Sequence, residues 1–537
     1  MIRVPASAAV VVLALAASSA EAAADDVRRY AVIVAHDEHL EGKVPDLEYA
    51  DDDAARYFEF YEHIADEVLL YSVLDRDTQR IHKQAASAAR TPARQEVFAG
   101  IEDVFEQAER DKAEGYEVEF TFILAGHGDI GPGGEGYISL LDAPFTRSDL
   151  YQRVLAESPA TTNHVVIDAC NAFFLVHRRG GEDEGPGRGD VVDAFLEREE
   201  LAQYPNTGVL LSTSSEAETH EWSAYRAGVF SHMVRSALSG AADVNGDGRI
   251  EYSEVEAFVA AANARIDDPR ARVDIFARPP SLDESRPIVD LGAADFEHWL
   301  EIPGGAPLRL YLEDSRGVRY MDTHSSGERD TLVGLPRAPH YFVRTTDDRR
   351  KARVELEGTG RLTFDRDRLS PAEIAARSAV ADAFRVSLFS EPFGPSFYHG
   401  YISGRDRRPI RSGVEAFRPD PAPRPACARQ AAQVARSRGL VPGDRPELDA
   451  AIRALGGGVP EGERAALCQR AQRAAESTPI DADIVRARIA DLNERSARDP
   501  ALAARLTESL GDVARLLDGG RYDEAAALLS ETARGPE

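Results

Sequence analysis

The chain has 537 residues, 43% hydrophobic and 29% charged, a globular composition at a length that implies two to four domains. Acidic residues outnumber basic ones 92 to 63, a formal charge of −29. A surface of that sign repels phosphate, which argues against nucleic acid and anionic membrane as partners.

Residues 1–24 begin with Arg3, run through an apolar stretch at 8–17 and end in small residues around Ala20-Glu21-Ala22. This is the pattern of a secretory signal peptide, too short in its apolar part to span a bilayer. The expectation is a periplasmic or secreted protein without membrane insertion. The cysteines are Cys170, Cys427 and Cys468. Cys427 and Cys468 lie 41 positions apart in one Arg/Ala-rich helical stretch. An oxidising compartment favours pairing them and leaves Cys170 as a lone thiol.

From 28 to 215 short apolar runs alternate with helical patterns. Strands are predicted at 30–35, 68–73, 118–125, 164–169 and 208–213, and helices at 49–64, 94–110 and 148–158. The alternation predicts an α/β layer around a mainly parallel sheet, in which ligands sit at the carboxyl ends of the strands. His127 and Cys170 stand at two such ends. Residues 177–200 are Gly-rich and charged and read as a loop. A helix near 229–239 follows, and 286–291 is the candidate last strand of this unit. Alternating runs predict a small β-rich domain over 294–418, after a first domain over 25–293. PDPAPRP at 419–425 reads as a linker. The region 426–537 reads as helices, with Leu502, Leu506, Leu510, Val513 and Leu517 on one apolar face.

A thiol becomes a useful nucleophile when a neighbouring base favours its thiolate, and acyl transfer also needs donors for the developing oxyanion. FILAGHGD places His127 between two glycines directly after a strand, and IDACNAFF places Cys170 at the end of the next strand, 43 positions on. Gly128 leaves its backbone N–H open to close approach.

The residues that carry a family resemblance are RRYAVIVAHDE, YADDDAARYF, the GHG turn, GEGYISLLD, VVIDAC, LLSTSSEAE and GVFSHMV. Over about 28–293 the chain resembles the caspase-like cysteine peptidases, in particular their bacterial metacaspase-like branch. The resemblance implies a caspase-like α/β/α sandwich, His127 as general base and acid, Cys170 as nucleophile, and the N–H groups of Gly128 and Cys170 as oxyanion donors. Asp168 stands where acid-specific caspases carry Gln. In metacaspase-like relatives an Asp there faces the substrate residue before the cut, so the resemblance implies cleavage after Arg or Lys. Asp37, after the first strand, is a second candidate pocket carboxylate. Asn171-Ala172 departs from the usual pair after the nucleophile.

Asp243 to Glu254 reads DVNGDGRIEYSE and fits the calcium-loop pattern at every position. Asp243, Asn245 and Asp247 offer side-chain oxygens, Arg249 its carbonyl, and Glu254 both carboxylate oxygens. A structural calcium ion is expected, and no organic cofactor. The expected protein is an exported cysteine endopeptidase acting on a protein or peptide substrate. It is also expected to cut its own 177–200 loop at Arg178, Arg179 or Arg188. The alternative is a catalytically inactive scaffold on the same fold.

Overall fold

The apolar runs of the first half become one seven-stranded sheet. The computed structural model describes residues 27–131, 135–169, 200–212, 221–266, 272–273, 275–356, 360–372, 387–405, 409–419 apart from 415, and much of 431–534. In chain order the strands are β1 (Val27–His36), β2 (Glu67–Tyr71), β3 (Ala89–Arg90), β4 (Glu117–Gly126), β5 (Thr162–Ala169), β6 (Thr207–Ser212) and β7 (Ile275–Arg278). Across the sheet the order is β7-β6-β5-β4-β1-β2-β3. Every neighbouring pair is parallel except β6–β7. The inner strands read as almost unbroken apolar runs because both of their faces are covered.

In chain order α1 is Ala50–Tyr61, followed by the short helices Arg76–Ile81 and Lys83–Ala88 and then by α2. α2 (Arg94–Ala113) covers one face, packing Phe98, Ile101, Val104 and Phe105 with Tyr30, Val32, Phe120 and Phe122 of the sheet. On the other face lie α1 (Ala50–Tyr61), α3 (Val229–Ser236) and α4 (Tyr252–Asn263), packed with Ile33, Ile123, Val166 and Leu210. The chain is therefore mixed α/β around a mainly parallel sheet.

Two expectations are corrected. The helix at 148–158 is a short α-turn, Arg147–Asp149, opened by a Thr146 capping box and continued by the π-helical Leu150–Leu155. The last strand of the sheet is β7, not 286–291. The N–H groups of Ile288 and Leu291 donate to the carbonyls of Ile250 and Gly248, each at 2.8 Å. Only the two-residue strand Val289–Asp290 forms there, paired with Arg249–Ile250 outside the main sheet.

Beyond 294 come β8 (His298–Ile302), β9 (Leu308–Asp314), β10 (Arg319–Ser325), β11 (Thr331–Leu335), β12 (His340–Thr345), β13 (Arg350–Glu355) and β14 (Gly360–Thr363). They form the sheets β11-β8-β14 and β10-β9-β12-β13, the second extended by Ser370–Pro371. Trp299, Leu300, Leu312, Met321 and Val333 belong to the same buried cluster as α1, α3 and α4. The β-rich region is thus a further layer on the helices, without a core of its own. The helices Pro446–Gly456, Glu461–Ser477, Ala482–Ser496, Pro500–Asp518 and Tyr522–Arg534 have a separate core. Leu502, Leu506 and Val513 are buried in it, with Leu510 and Leu517 packed against it. Cys468 is disulfide-bonded. Cys170, Cys427, the 1–24 segment and all but the first residue of 419–425 lie outside the described residues. Among the described residues no helix is long and apolar enough to cross a membrane.

Gly240 marks a close approach between the helical layer and the β-rich region. Its φ is +117°, and a Cβ there would stand 2.0 Å from the Leu332 carbonyl oxygen. Gly240→Ala combines left-handed strain with a backbone clash and should cost about 2 kcal/mol or more. A melting curve that does not move on this substitution would contradict the packing described.

Candidate functional site

The carboxyl edge of the sheet is set by register. His36, the last residue of β1, stands opposite Gly126 of β4, and Gly126 stands opposite Ala169 of β5. Gly126 has φ +149°, and a Cβ on it would meet the His36 carbonyl oxygen at 2.8 Å. Glycine is what lets β4 end flush against β1. From these adjacent ends the chain continues into His127 and Cys170. Cys170 and the loop through 199 lie outside the described residues.

His127 is 7% exposed, and its Nε2 has no partner among the described residues. Its carbonyl accepts the Ser139 N–H at 2.9 Å, which ties it to the antiparallel pair Gly128–Ile130 and Gly136–Ser139. Gly128 is the first residue of that pair, next to the histidine. The His39 ring lies edge-on to His127, with centroids 5.6 Å apart. His39 is anchored by the Glu41 N–H, which donates to its Nδ1 at 3.1 Å, and its Nε2 lies 3.7 Å from Asp129 Oδ2. Burial, followed by repulsion from His39, lowers the His127 pKa, while the Pro45 carbonyl and Asp46 act in the opposite sense. A lowered pKa and a buried ring nitrogen without a partner among the described residues suit a base.

Asp168 lies on β5 opposite Ala125. Its Oδ2 accepts the N–H of Ser231 at 3.1 Å and its hydroxyl at 2.5 Å, both from the first turn of α3. Asp53 reaches the same helix end from the first turn of α1. Its Oδ2 accepts the Gly228 N–H at 2.7 Å and its Oδ1 accepts Arg235 Nη1 at 2.7 Å. A Cβ on Gly228 would stand 3.0 Å from both Asp53 Oδ2 and Asp168 Oδ2. Two carboxylates thus flank one glycine at a helix N-terminus, where the helix dipole favours negative charge. Burial, then the Asp53 charge, pushes Asp168 up to about 7. Burial also raises Asp53, against the pull of Arg235 and Arg56.

Asp37 belongs to a second acidic group. Its Oδ1 accepts the Asp51 N–H at 3.2 Å, and burial followed by the Asp51 charge pushes it up to about 8. Glu221 accepts the N–H groups of Glu48 and Tyr49 at 2.9 and 2.8 Å, and burial raises it to about 7. The charges acting on Asp37 are Asp51 and Glu221, whereas the one raising Asp168 is Asp53. Sequence reasoning had not singled out Asp53. Three aspartates opening a helix read as complements to its dipole, and only the fold shows that Asp53 reaches α3 and its cap.

The calcium-type loop runs from the π-helical turn Ala237–Ala241 into α4. Gly246 and Gly248 both have φ +76°. Asp243 accepts N–H groups of Gly246, Asp247 and Gly248, at 2.6, 3.2 and 2.8 Å. Asp247 accepts the Arg249 N–H at 2.9 Å, and Glu254 those of Val244 and Glu251 at 3.0 and 2.8 Å. Among the described residues no group of three or more His, Cys, Asp or Glu is gathered as a metal site. The donor chemistry nonetheless fits a hard dication: every donor is an oxygen, and Glu254 is fully buried. Burial, then Asp247, raises Asp243 to about 6, and burial with Asp243 raises Glu254 well above the carboxylate range.

No protein-family profile and no curated protein matches the chain. Among solved structures it is similar to a protein of Geobacter sulfurreducens, with 16% identity, TM-score 0.31, and 49% of this chain and 99% of that one covered. It is also similar to caspase-1 of Spodoptera frugiperda, with 13% identity, TM-score 0.30, and coverage of 48% and 87%. The procaspase form, pro-sf-caspase-1, matches with 13% identity, TM-score 0.22, and coverage of 36% and 64%.

The raised carboxylates carry a stability signature. Asp168 and Glu221 at about 7 and Asp37 at about 8 are held above their unfolded values. Their protonated forms therefore support the fold below the ordinary carboxylate range, and that support is lost as pH rises toward 7–8. Asp37→Asn should gain stability relative to wild type between pH 5 and pH 8. Thermal melts that run parallel over that interval would refute the assignment.

Proposed function

We propose that the protein is a caspase-like cysteine endopeptidase that cuts after Arg or Lys, with Cys170 as nucleophile and His127 as base and acid. The observation that carries this reading is the buried Nε2 of His127 directly after β4, which has no partner among the described residues. It is joined by the register of Gly126 with Ala169, the residues that directly precede His127 and Cys170. In the proposed reaction His127 takes the thiol proton and the sulfur attacks the peptide carbonyl carbon. The N–H groups of Gly128 and Cys170 receive the oxyanion. His127 then protonates the leaving amine, and water attacks the acyl-enzyme with His127 again as base.

In this reading Asp168 and Asp53 receive the basic side chain before the cut, since a cation beside them relieves their repulsion in a desolvated place. Asp37, with Asp51 and Glu221, extends the acidic lining. Arg178, Arg179 and Arg188 in the 177–200 loop offer the same chemistry to the enzyme itself. Residues 1–24 direct export. Asp243, Asn245, Asp247, the Arg249 carbonyl and Glu254 would hold calcium, which supplies charge neutralisation and ties the loop to α4.

Cys170→Ala and His127→Ala should each lower cleavage of an Arg-ending fluorogenic peptide by ~10³-fold or more. Autolytic fragments should vanish in the same variants. Cleavage after Asp in place of Arg or Lys would overturn the specificity. For calcium, chelator should lower the melting temperature of wild type and leave that of Asp243→Ala/Glu254→Ala unmoved. A wild-type curve indifferent to chelator rejects the ion.

A further inference from the structure

All eight residues of α3 are buried. Toward the sheet, Ser231 donates to Asp168, and Arg235, one turn later, donates to Asp53. Away from the sheet the same helix is gripped by β10. His232 Nε2 and Asp322 Oδ2 are 2.8 Å apart, and the His232 ring stacks on Tyr225 at 3.9 Å. The Asp322 N–H donates to Ser236 Oγ at 3.1 Å, and Ser236 donates in turn to the His232 carbonyl at 2.7 Å. Ser239 Oγ donates to the Arg235 carbonyl at 2.7 Å and lies 3.0 Å from Tyr320 Oη.

Asp322 is itself 1% exposed and is fixed by the fork of Arg319, whose Nε donates to Oδ2 at 2.6 Å while Nη2 donates to Oδ1. The Arg319 guanidinium lies 3.8 Å over Tyr311 and 4.8 Å over Tyr225. This ion pair is buried, bidentate and packed between aromatic rings, so its geometry has little freedom.

We infer that Asp322 and Arg319, in the β-rich region, are positioning residues for the basic-residue pocket, acting through α3 on Asp168 and Asp53. This rests on reading those two carboxylates as the pocket. A helix of eight residues has no stable position of its own. α3 also has no side-chain N-cap from within; its first N–H groups are satisfied by carboxylates of other elements. What holds its back therefore decides where Ser231 and Arg235 place the two acids. Displacing the helix by a fraction of an ångström moves both donors together, and charge recognition in a desolvated site is steep in distance.

The test uses the full chain carrying Cys170→Ala, with agmatine, a bare guanidinium ligand, titrated by calorimetry. Asp168→Asn should abolish binding. Asp322→Asn should weaken it roughly three- to thirtyfold, the usual reach of coupling through packed elements. Tyr320→Phe, which removes the Ser239 contact from the same strand to the turn that continues α3, should weaken it less and carries the test if Asp322→Asn does not fold. Alkylation of Cys170 by iodoacetamide, measured without the Cys170→Ala change, should keep its rate in both variants. Absent agmatine binding in the parent, or unchanged binding in Asp168→Asn, overturns the pocket reading. Loss in Asp168→Asn with undiminished binding in both Asp322→Asn and Tyr320→Phe overturns the positioning role. Alkylation falling in step with agmatine affinity overturns it too, because the damage is then general.

Discussion

Two buried carboxylates meeting at one helix N-terminus are the constraint around which the site is arranged. Asp53 and Asp168 come from different layers, α1 and β5, and both bond to the first turn of α3 or its cap. Backbone N–H groups, a serine hydroxyl and the Arg235 guanidinium stabilise them, yet burial still raises both, and the Asp53 charge adds to the rise of Asp168. Such a pair is electrostatically incomplete. It can be satisfied by a proton, at the cost of its charge, or by a cation that arrives from outside. His127, whose Nε2 has no partner among the described residues, stands at the end of the strand beside that of Asp168. The acid pair and the histidine thus share one edge of the sheet.

The same constraint explains why the β-rich region does not behave as an appendage. A helix that holds charged groups on its sheet side must be backed by something rigid on the other, and here the backing is β10. Arg316, in the turn between β9 and β10, makes a second tie: Nη1 and Nη2 donate to Glu59 of α1 at 2.6 and 2.8 Å. The core is therefore continuous from the central sheet through α1, α3 and α4 into both small sheets. The helices after 446 bury their apolar stripe among themselves instead.

The sheet was legible in the sequence because strands covered on both faces leave continuous apolar runs, and five predicted strands match β1, β2, β4, β5 and β6 to within three residues. The misreadings have local causes. At 286–291 the β-like residues are real, but their N–H groups serve the calcium-type loop and leave the sheet edge to β7. At 148–158 the helical spacing is real, but the turn widens to π after the capped first residues. His127 was visible as a polar residue closing an apolar run, and Asp168 through the family resemblance. Asp53 and His39 were not, since one sits in an acidic helix start and the other in an aperiodic loop. Asp322 and Arg319 could not be tied to a site by spacing of any kind, because their partners lie about ninety residues away in the chain.

The calcium-type loop shows how a local motif is recruited into this architecture. Such loops are commonly steadied by a short strand pairing, and here Val289–Asp290 supplies the partner for Arg249–Ile250. Phe417 closes the outer side: its N–H donates to the Gly246 carbonyl at 2.7 Å, and its ring would clash with any Cβ on Gly248. Within the last positions of the loop, Tyr252 opens α4 and its hydroxyl bonds His164 Nδ1 of β5 at 2.7 Å. The strand that ends at Ala169 is thereby anchored at its beginning by the helix the loop sets. A cation bound between Asp243 and Glu254 would remove the repulsion that opposes this arrangement. Its effect on the site would be transmitted by the placement of α4 and β5, at the opposite end of the strand from His127, and so would be expressed as stability rather than as chemistry.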